Sequence, residues 1–163
     1  MIAEPVVSEL SAREAIHVLS GPDTVGLVIA CGKLLRRGLF EEIRFPVGRL
    51  HEDEFVAHEV LWRAGRIVVT TAPLYFYLQR EDGIMGSASS DKRARDLRDA
   101  LRTRALWCES MGLTDDAARL FSTVLNHWVR QVGSGSGIAT REHQLEMRGI
   151  IAEIARARMP GSV

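Results

Sequence analysis

Residues 45–65, FPVGRLHEDEFVAHEVLWRAG, hold a loop, a helix start and a row of four titratable side chains. Proline at 46 disfavours helix in the residue before it, and glycine at 48 permits a left-handed backbone, so Phe45–Gly48 reads as loop. Beyond it, Val56, Ala57, Val60, Leu61 and Ala64 recur at helical spacing, and Gly65 suits the position just past a helix end. His51, Glu52, Asp53 and Glu54 therefore lie where the loop turns into a helix. Phasing puts Asp53 on the inner edge of the first turn, with Glu54, His58, Glu59 and Arg63 away from the apolar stripe. Two readings stay open here. Acids in a first turn complement the helix dipole and cap backbone N–H groups, and a carboxylate facing inward is also a candidate for chemistry.

Upstream, Ser11-Ala-Arg-Glu14 has the spacing of a capping box, which predicts a helix through Leu19 closed by Gly21-Pro22. TVGLVIA, residues 24–30, is short and β-branched and reads as a buried strand, followed by a brief helix over Lys33–Phe40. Downstream, Ile67–Thr71 and Leu74–Leu78 read as strands interrupted by Pro73, which has no N–H to give to a ladder.

From Asp91 the period changes to 3.6. Leu97, Leu101, Ala105 and Cys108 form one stripe, and Ala117, Phe121, Val124, Trp128 and Val132 form a second, with Gly112 between them and Thr114-Asp115-Asp116 as an acidic capped start. GSGSG at 133–137 is a flexible link before a third helix over residues 140–158. The fold class expected is α+β and helix-rich, with an α/β-like portion over residues 1–88 and a helical bundle over residues 89–163. The basic run of residues 91–104 reads as a solvated helix face, with contact to an anionic membrane surface as the second reading.

Composition narrows the function classes. Apolar residues make up 46% of 163 positions, enough for a core, and 21 basic residues balance 21 acidic ones, which gives no reason to expect nucleic acid as a partner. The two cysteines, Cys31 and Cys108, are far apart and outside any C-x-x-C, which argues against a zinc site and a disulfide framework and fits a reducing cytoplasm. No apolar stretch has signal-peptide or membrane-span length, so the expected location is cytoplasmic or peripheral to the inner face of a membrane.

An ordered set of short motifs runs through the first half: Gly32-Lys33-Leu34-Leu35-Arg36-Arg37 with Leu39-Phe40, Ile43-Arg44-Phe45-Pro46, Gly48-Arg49-Leu50, Glu52-Asp53-Glu54-Phe55, Pro73-Leu74-Tyr75-Phe76-Tyr77, Gln79-Arg80 and Ile84-Met85. In order and spacing the chain resembles family 2 glycosyltransferases of the GT-A fold, specifically from about Val25 to Met85. Cys31 stands where the family has tryptophan, and Gly83 replaces the serine that often precedes Ile-Met. The resemblance implies transfer of a sugar from a nucleotide-sugar donor to a hydroxyl of a glycan or lipid-linked acceptor. It also implies Asp53 as the general base of an ED pair with Glu52, and a role for Lys33, Arg80, His51 and Tyr77 in binding substrate. An ionised carboxylate suffices for that base, because the hydroxyl becomes acidic as it bonds to an electron-poor anomeric carbon.

The family's D-x-D motif occurs nowhere in the chain. The resemblance therefore implies that a divalent cation, magnesium or manganese, belongs with a donor-binding half not contained in these 163 residues. A donor half in another chain, self-association through the strands it would cover, and little activity of this chain alone are the corresponding expectations. A non-catalytic helical interaction module derived from such an enzyme is the alternative.

Overall fold

The computed structural model describes residues 4–22, 24–76, 78, 90–133, 145, 148–153 and 155, and divides the chain into two compact units. One comprises residues 1–48 and 52–89, the other residues 49–51 and 90–163. The α+β, helix-rich class expected from the sequence is observed, with a two-stranded sheet as its β component.

In the first unit, strand β1 (Val7–Ser11) runs straight into helix α1 (Ala12–Leu19). Ser11 is both the last strand residue and the N-cap: its hydroxyl accepts from Glu14 N–H at 3.2 Å while the Glu14 carboxylate accepts from Ser11 N–H at 2.8 Å, the capping box read from the sequence. These bonds hold the exposed Glu14 carboxyl below its usual range. Helix α1 buries Ala15, Ile16 and Leu19 and packs on helix α3 (Glu52–Ala64). Gly65, at φ +69°, ends α3, and strand β2 (Arg66–Thr70) then pairs antiparallel with β1, Val7 opposite Thr70 and Ser11 opposite Arg66. Leu10, Ile67 and Val69 are half-buried on one face of this ribbon, and Val7 and Val68 are exposed on the other.

Three local expectations are corrected. TVGLVIA is not a strand: Val25–Val28 form one helical turn, α2, whose N–H groups bond locally to Thr24 and Val25 carbonyls. Its buried residues, Leu27 and Val28, are adjacent rather than alternate, and no ladder partner is present among the described residues to make β-branching count. Of the helix expected over Lys33–Phe40 only a 3₁₀ turn, Arg37–Phe40, is formed. Pro73–Phe76 and Leu78 do not pair as a strand, since Leu74 N–H turns back to the Ala72 carbonyl at 2.8 Å. The sequence reading also missed β1, whose five residues VSELS are mostly polar.

A fourth correction concerns α3. His58, phased outward, is fully buried, and Glu54 is half-buried. One stripe cannot describe this helix, because α1, α2, the 3₁₀ turn and β2 all pack against it. Ile43, Val56 and Val60 make a buried cluster with Leu39, Phe40 and Phe55 against it.

In the second unit, helices α4 (Ser90–Ser110) and α5 (Thr114–Gly133) pack along the expected stripes, burying Leu101, Ala105 and Cys108 on one and Ala117, Phe121 and Val124 on the other. The side chains of Trp128 and Val132, the 133–137 link beyond residue 133, and most of the third helix lie outside the described residues, but residues 148–153 are helical. Glu153 there is buried against Arg102, which grips it with Nε at 3.0 Å and with Nη2. The basic run is not simply a solvated face, because Asp96, Arg98 and Arg104 are buried. Stripe phasing misses them since long charged side chains bury their stems and ionic heads wherever partners meet them.

Asp96 is 4% exposed and accepts from Leu50 N–H at 2.9 Å, Arg49 Nη1 at 2.8 Å and Lys92 Nζ. Burial alone would raise its pKa, but these donors outweigh it and hold the carboxyl well below the usual range. A carboxyl depressed by folding stabilises the native state above its unfolded pKa, about 4, and loses that contribution as pH falls towards its folded value. The gap in melting temperature between the native chain and Asp96→Asn is therefore expected to be constant from neutral pH to about pH 5 and to shrink below about pH 4; calorimetry across that range checks it.

Candidate active site

The side chains singled out in the sequence converge in part on the start of α3. Asp53 is half-buried in the first turn. Its Oδ2 accepts from Ala30 N–H at 3.2 Å and its Oδ1 from Glu54 N–H at 3.0 Å. Ala30 belongs to the irregular segment after α2, so this bond joins residues 23 apart and satisfies a loop N–H that no ladder takes. Asp53 and its neighbour Glu54 are alike in depth, both half-buried.

Lys33 lies beside it. Its ammonium donates to the Ile29 carbonyl, and burial lowers its pKa while the charges of Asp53 and Cys31 act the other way. The Cys31-Gly32-Lys33 turn needs glycine at 32, where φ is +69° and an added Cβ would meet the Tyr75 ring at 3.4 Å. Tyr75 is thereby brought against the GK turn. Lys33 and Asp53 are the ionisable groups of a cleft of about 30 Å³ otherwise walled by apolar side chains such as Leu27, Val28, Val56 and Val60. That volume holds about one water, so a sugar has to sit on the open side of the carboxylate rather than inside the cleft.

The other sequence candidates are placed differently. Glu52 is exposed. His51 folds with the second unit, has a left-handed backbone at φ 55°, and keeps Nε2 buried without a hydrogen-bond partner among the described residues. Tyr77 and Arg80 lie outside the described residues. Sequence reasoning gave no role to Arg49 or Asp96, and the Ala30 N–H that grips Asp53 could not have been found from side-chain patterns. The one legible signal for Asp96 was its i, i+4 spacing from Lys92. Among the described residues no group of three or more His, Cys, Asp or Glu side chains could hold a metal ion, so they offer no ligand set for the cation that the resemblance implies. No helix among them is long and apolar enough to cross a membrane.

Two curated proteins of Streptococcus pneumoniae serotype 4 are similar to this chain. It is 28% identical over 109 residues to glycosyltransferase GlyA and 27% identical over 117 residues to glycosyltransferase GlyG. The matches cover 67% and 70% of this chain but 16% and 39% of those proteins, so the chain spans well under half the length of the relatives it matches. No family model and no solved structure matches it. The chain is thus glycosyltransferase-like over about two thirds of its length.

The two N–H donors on Asp53 set a stability test. Asp53→Ala leaves both without an acceptor and is expected to cost about 1–2 kcal/mol, whereas Asp53→Asn keeps one acceptor oxygen and should cost less than half of that. Urea titration of the two variants checks the order.

Proposed function

We propose that this chain is the acceptor-side part of a family 2-type glycosyltransferase of GT-A fold, in which Asp53 takes the proton of the attacking hydroxyl. The observation that carries the reading is the Asp53 carboxylate at the start of α3, held by Ala30 and Glu54 N–H groups with Lys33 beside it. The similarity to two glycosyltransferases supports it.

In this mechanism the acceptor oxygen bonds to the anomeric carbon as the bond from that carbon to the nucleoside diphosphate breaks. The hydroxyl proton passes to Asp53. Each carboxylate oxygen has two acceptor positions and gives one to a backbone N–H, so each retains one for the acceptor hydroxyl. Proton and acceptor oxygen need only hydrogen-bond reach, and the fixed carboxylate supplies orientation. Lys33, already bonded to Ile29, tunes the field at Asp53 rather than carrying the proton. Glu52, exposed next to the base, is the other member of the acid pair, and Tyr77 and Arg80 are substrate contacts in this reading.

Donor binding falls to a segment bearing D-x-D together with its divalent cation, in this polypeptide or in another. Leu34, Leu74, Phe76 and Leu78 are all more than 60% exposed, an apolar surface that such a segment or a second copy of the chain would cover. The cytoplasmic side of a membrane is the location this reading implies.

Transfer tests the base directly. In a polypeptide carrying these residues and a nucleotide-sugar-binding segment, Asp53→Asn is expected to lower kcat on the order of a hundredfold or more with donor affinity unchanged, and Glu54→Ala to have little effect. Near-normal transfer by Asp53→Asn, or equal damage from both variants, would reduce the acidic row to a helix start.

A further inference from the structure

The first unit holds a second, larger cleft that the proton transfer at Asp53 does not use. It measures about 720 Å³ and is lined by Arg37, Phe40, Glu41, Ile43, Arg44 and Phe45. Sites for small molecules run to roughly 300–1,000 Å³. A short stretch of sequence builds its walls. The 3₁₀ turn Arg37–Phe40 brings its first and last side chains to one side, because positions i and i+3 eclipse in such a turn. Phe40 packs on the buried Ile43–Val56–Val60 cluster and stacks with Phe45, the ring centroids 5.9 Å apart and the planes 22° from parallel. Phe45 is 39% exposed, so much of its ring stays available to a ligand.

The two arginines differ in how they are held. Arg44 Nη1 donates to the Phe40 carbonyl and, at 2.8 Å, to the Ile43 carbonyl, which fixes the guanidinium and leaves its Nε and Nη2 without a partner among the described residues. Arg37 is exposed, and its guanidinium has no hydrogen bond or ion pair among the described residues. Glu41 brings one carboxylate, whose Oε1 lies 3.9 Å from where a Cβ on Gly38 would stand, and it pairs with neither arginine. Two guanidiniums against one carboxylate leave the cleft net positive. The stacked Phe40–Phe45 pair also lines the small cleft of Asp53 and Lys33, so it is common to both.

We infer that this cleft binds an anionic saccharide: Arg37 and Arg44 take a phosphoryl or carboxylate group, and the sugar ring that carries it lies on Phe45. A guanidinium presents parallel N–H donors that match either anion at two points, and the C–H face of a sugar ring is apolar enough to rest on an aromatic one. Glu41 accepts from sugar hydroxyls and opposes a second negative charge. The role of this ligand rests on Asp53 being the base of the proposed transfer: the occupant is then the acceptor, a negatively charged sugar that offers a hydroxyl to Asp53 along the aromatic pair. A nucleoside diphosphate carries more charge than two arginines opposed by a carboxylate can balance, and its usual counterion is a divalent cation.

Binding to the 163-residue chain tests the site without any transfer. The readout is an NMR titration at low ionic strength that follows the Arg37 and Arg44 Nε–H and Phe45 amide signals. The probes are glucose 1-phosphate, glucuronate, glucose, inorganic phosphate and uridine diphosphate. Saturable shifts are expected with glucose 1-phosphate or glucuronate, and the tighter of the two identifies the anion as phosphoryl or carboxylate. Neutral glucose is expected to bind about tenfold or more weakly than that probe, and inorganic phosphate about threefold or more weakly. Arg37→Gln alters an exposed side chain, keeps the fold and is expected to weaken the sugar anion by about tenfold. Arg36→Gln removes an adjacent exposed arginine that does not line the cleft and should leave binding unchanged, which separates a site from general charge attraction. Phe45→Ala should weaken the sugar anion and not inorganic phosphate. Absence of saturable shifts with both sugar anions overturns the inference. So does equal weakening by Arg36→Gln and Arg37→Gln, or tighter binding of glucose or uridine diphosphate. Loss of transfer in Asp53→Asn with no sugar anion bound at Arg37 would sink the anionic acceptor and leave the base standing. Full transfer by Asp53→Asn with the sugar anion bound would sink the base and leave the cleft as a saccharide site.

Discussion

The backbone of the segment after α2 has no ladder to join among the described residues, and the Asp53 carboxylate accepts one of its N–H groups. Ala30 N–H reaches it at 3.2 Å across 23 residues of chain. Lys33 folds back onto Ile29, Gly32 admits the Tyr75 ring, and Leu27 and Val28 close the apolar wall behind. The bond is exposed and ties the loop to the helix start. The residue that completes the fold locally is the one whose chemistry the proposed transfer needs. Capping and catalysis, which compete as readings of the sequence, are compatible roles of one side chain.

Legibility in the sequence followed the range of the interactions. The capping box at Ser11 and Glu14, the glycine that ends α3 at 65 and the two stripes of the α4 and α5 pair were readable because each is set by residues within a turn or two of one another. TVGLVIA was misread because strand propensity has effect only where a neighbouring strand exists, and here the N–H groups close onto Thr24 and Val25 instead. His58 was misplaced because α3 is covered on several sides, so its small asymmetry of hydrophobicity did not report which positions are buried. At the site, Asp53 and Lys33 could be named from short motifs. The anchor of Asp53 could not, since a backbone N–H at Ala30 carries no local signature of the partner it meets.

Charge burial in the second unit has the same origin. A run with six basic and three acidic residues looks solvated by count, yet Asp96 gains three donors and Glu153 gains a two-point grip from Arg102. Ion pairs of this kind add little when exposed and much when breaking them strands a buried charge. The helical unit is therefore held by specific polar contacts on top of its apolar stripes, and one of those contacts reaches the two residues that precede the acidic row. The two similar glycosyltransferases are both longer than the part this chain matches, 16% and 39% of their length.

The most direct measurement is the pH dependence of the Ala30 amide resonance in the isolated chain. If Asp53 is the acceptor of that N–H, the Ala30 shift follows the protonation of the Asp53 carboxyl, and the dependence disappears in Asp53→Asn while neighbouring amides keep their own. An Ala30 resonance that is flat across the titration of Asp53, or that responds identically in Asp53→Asn, would contradict the account, because the carboxylate would then not be held where the proposed proton transfer requires it.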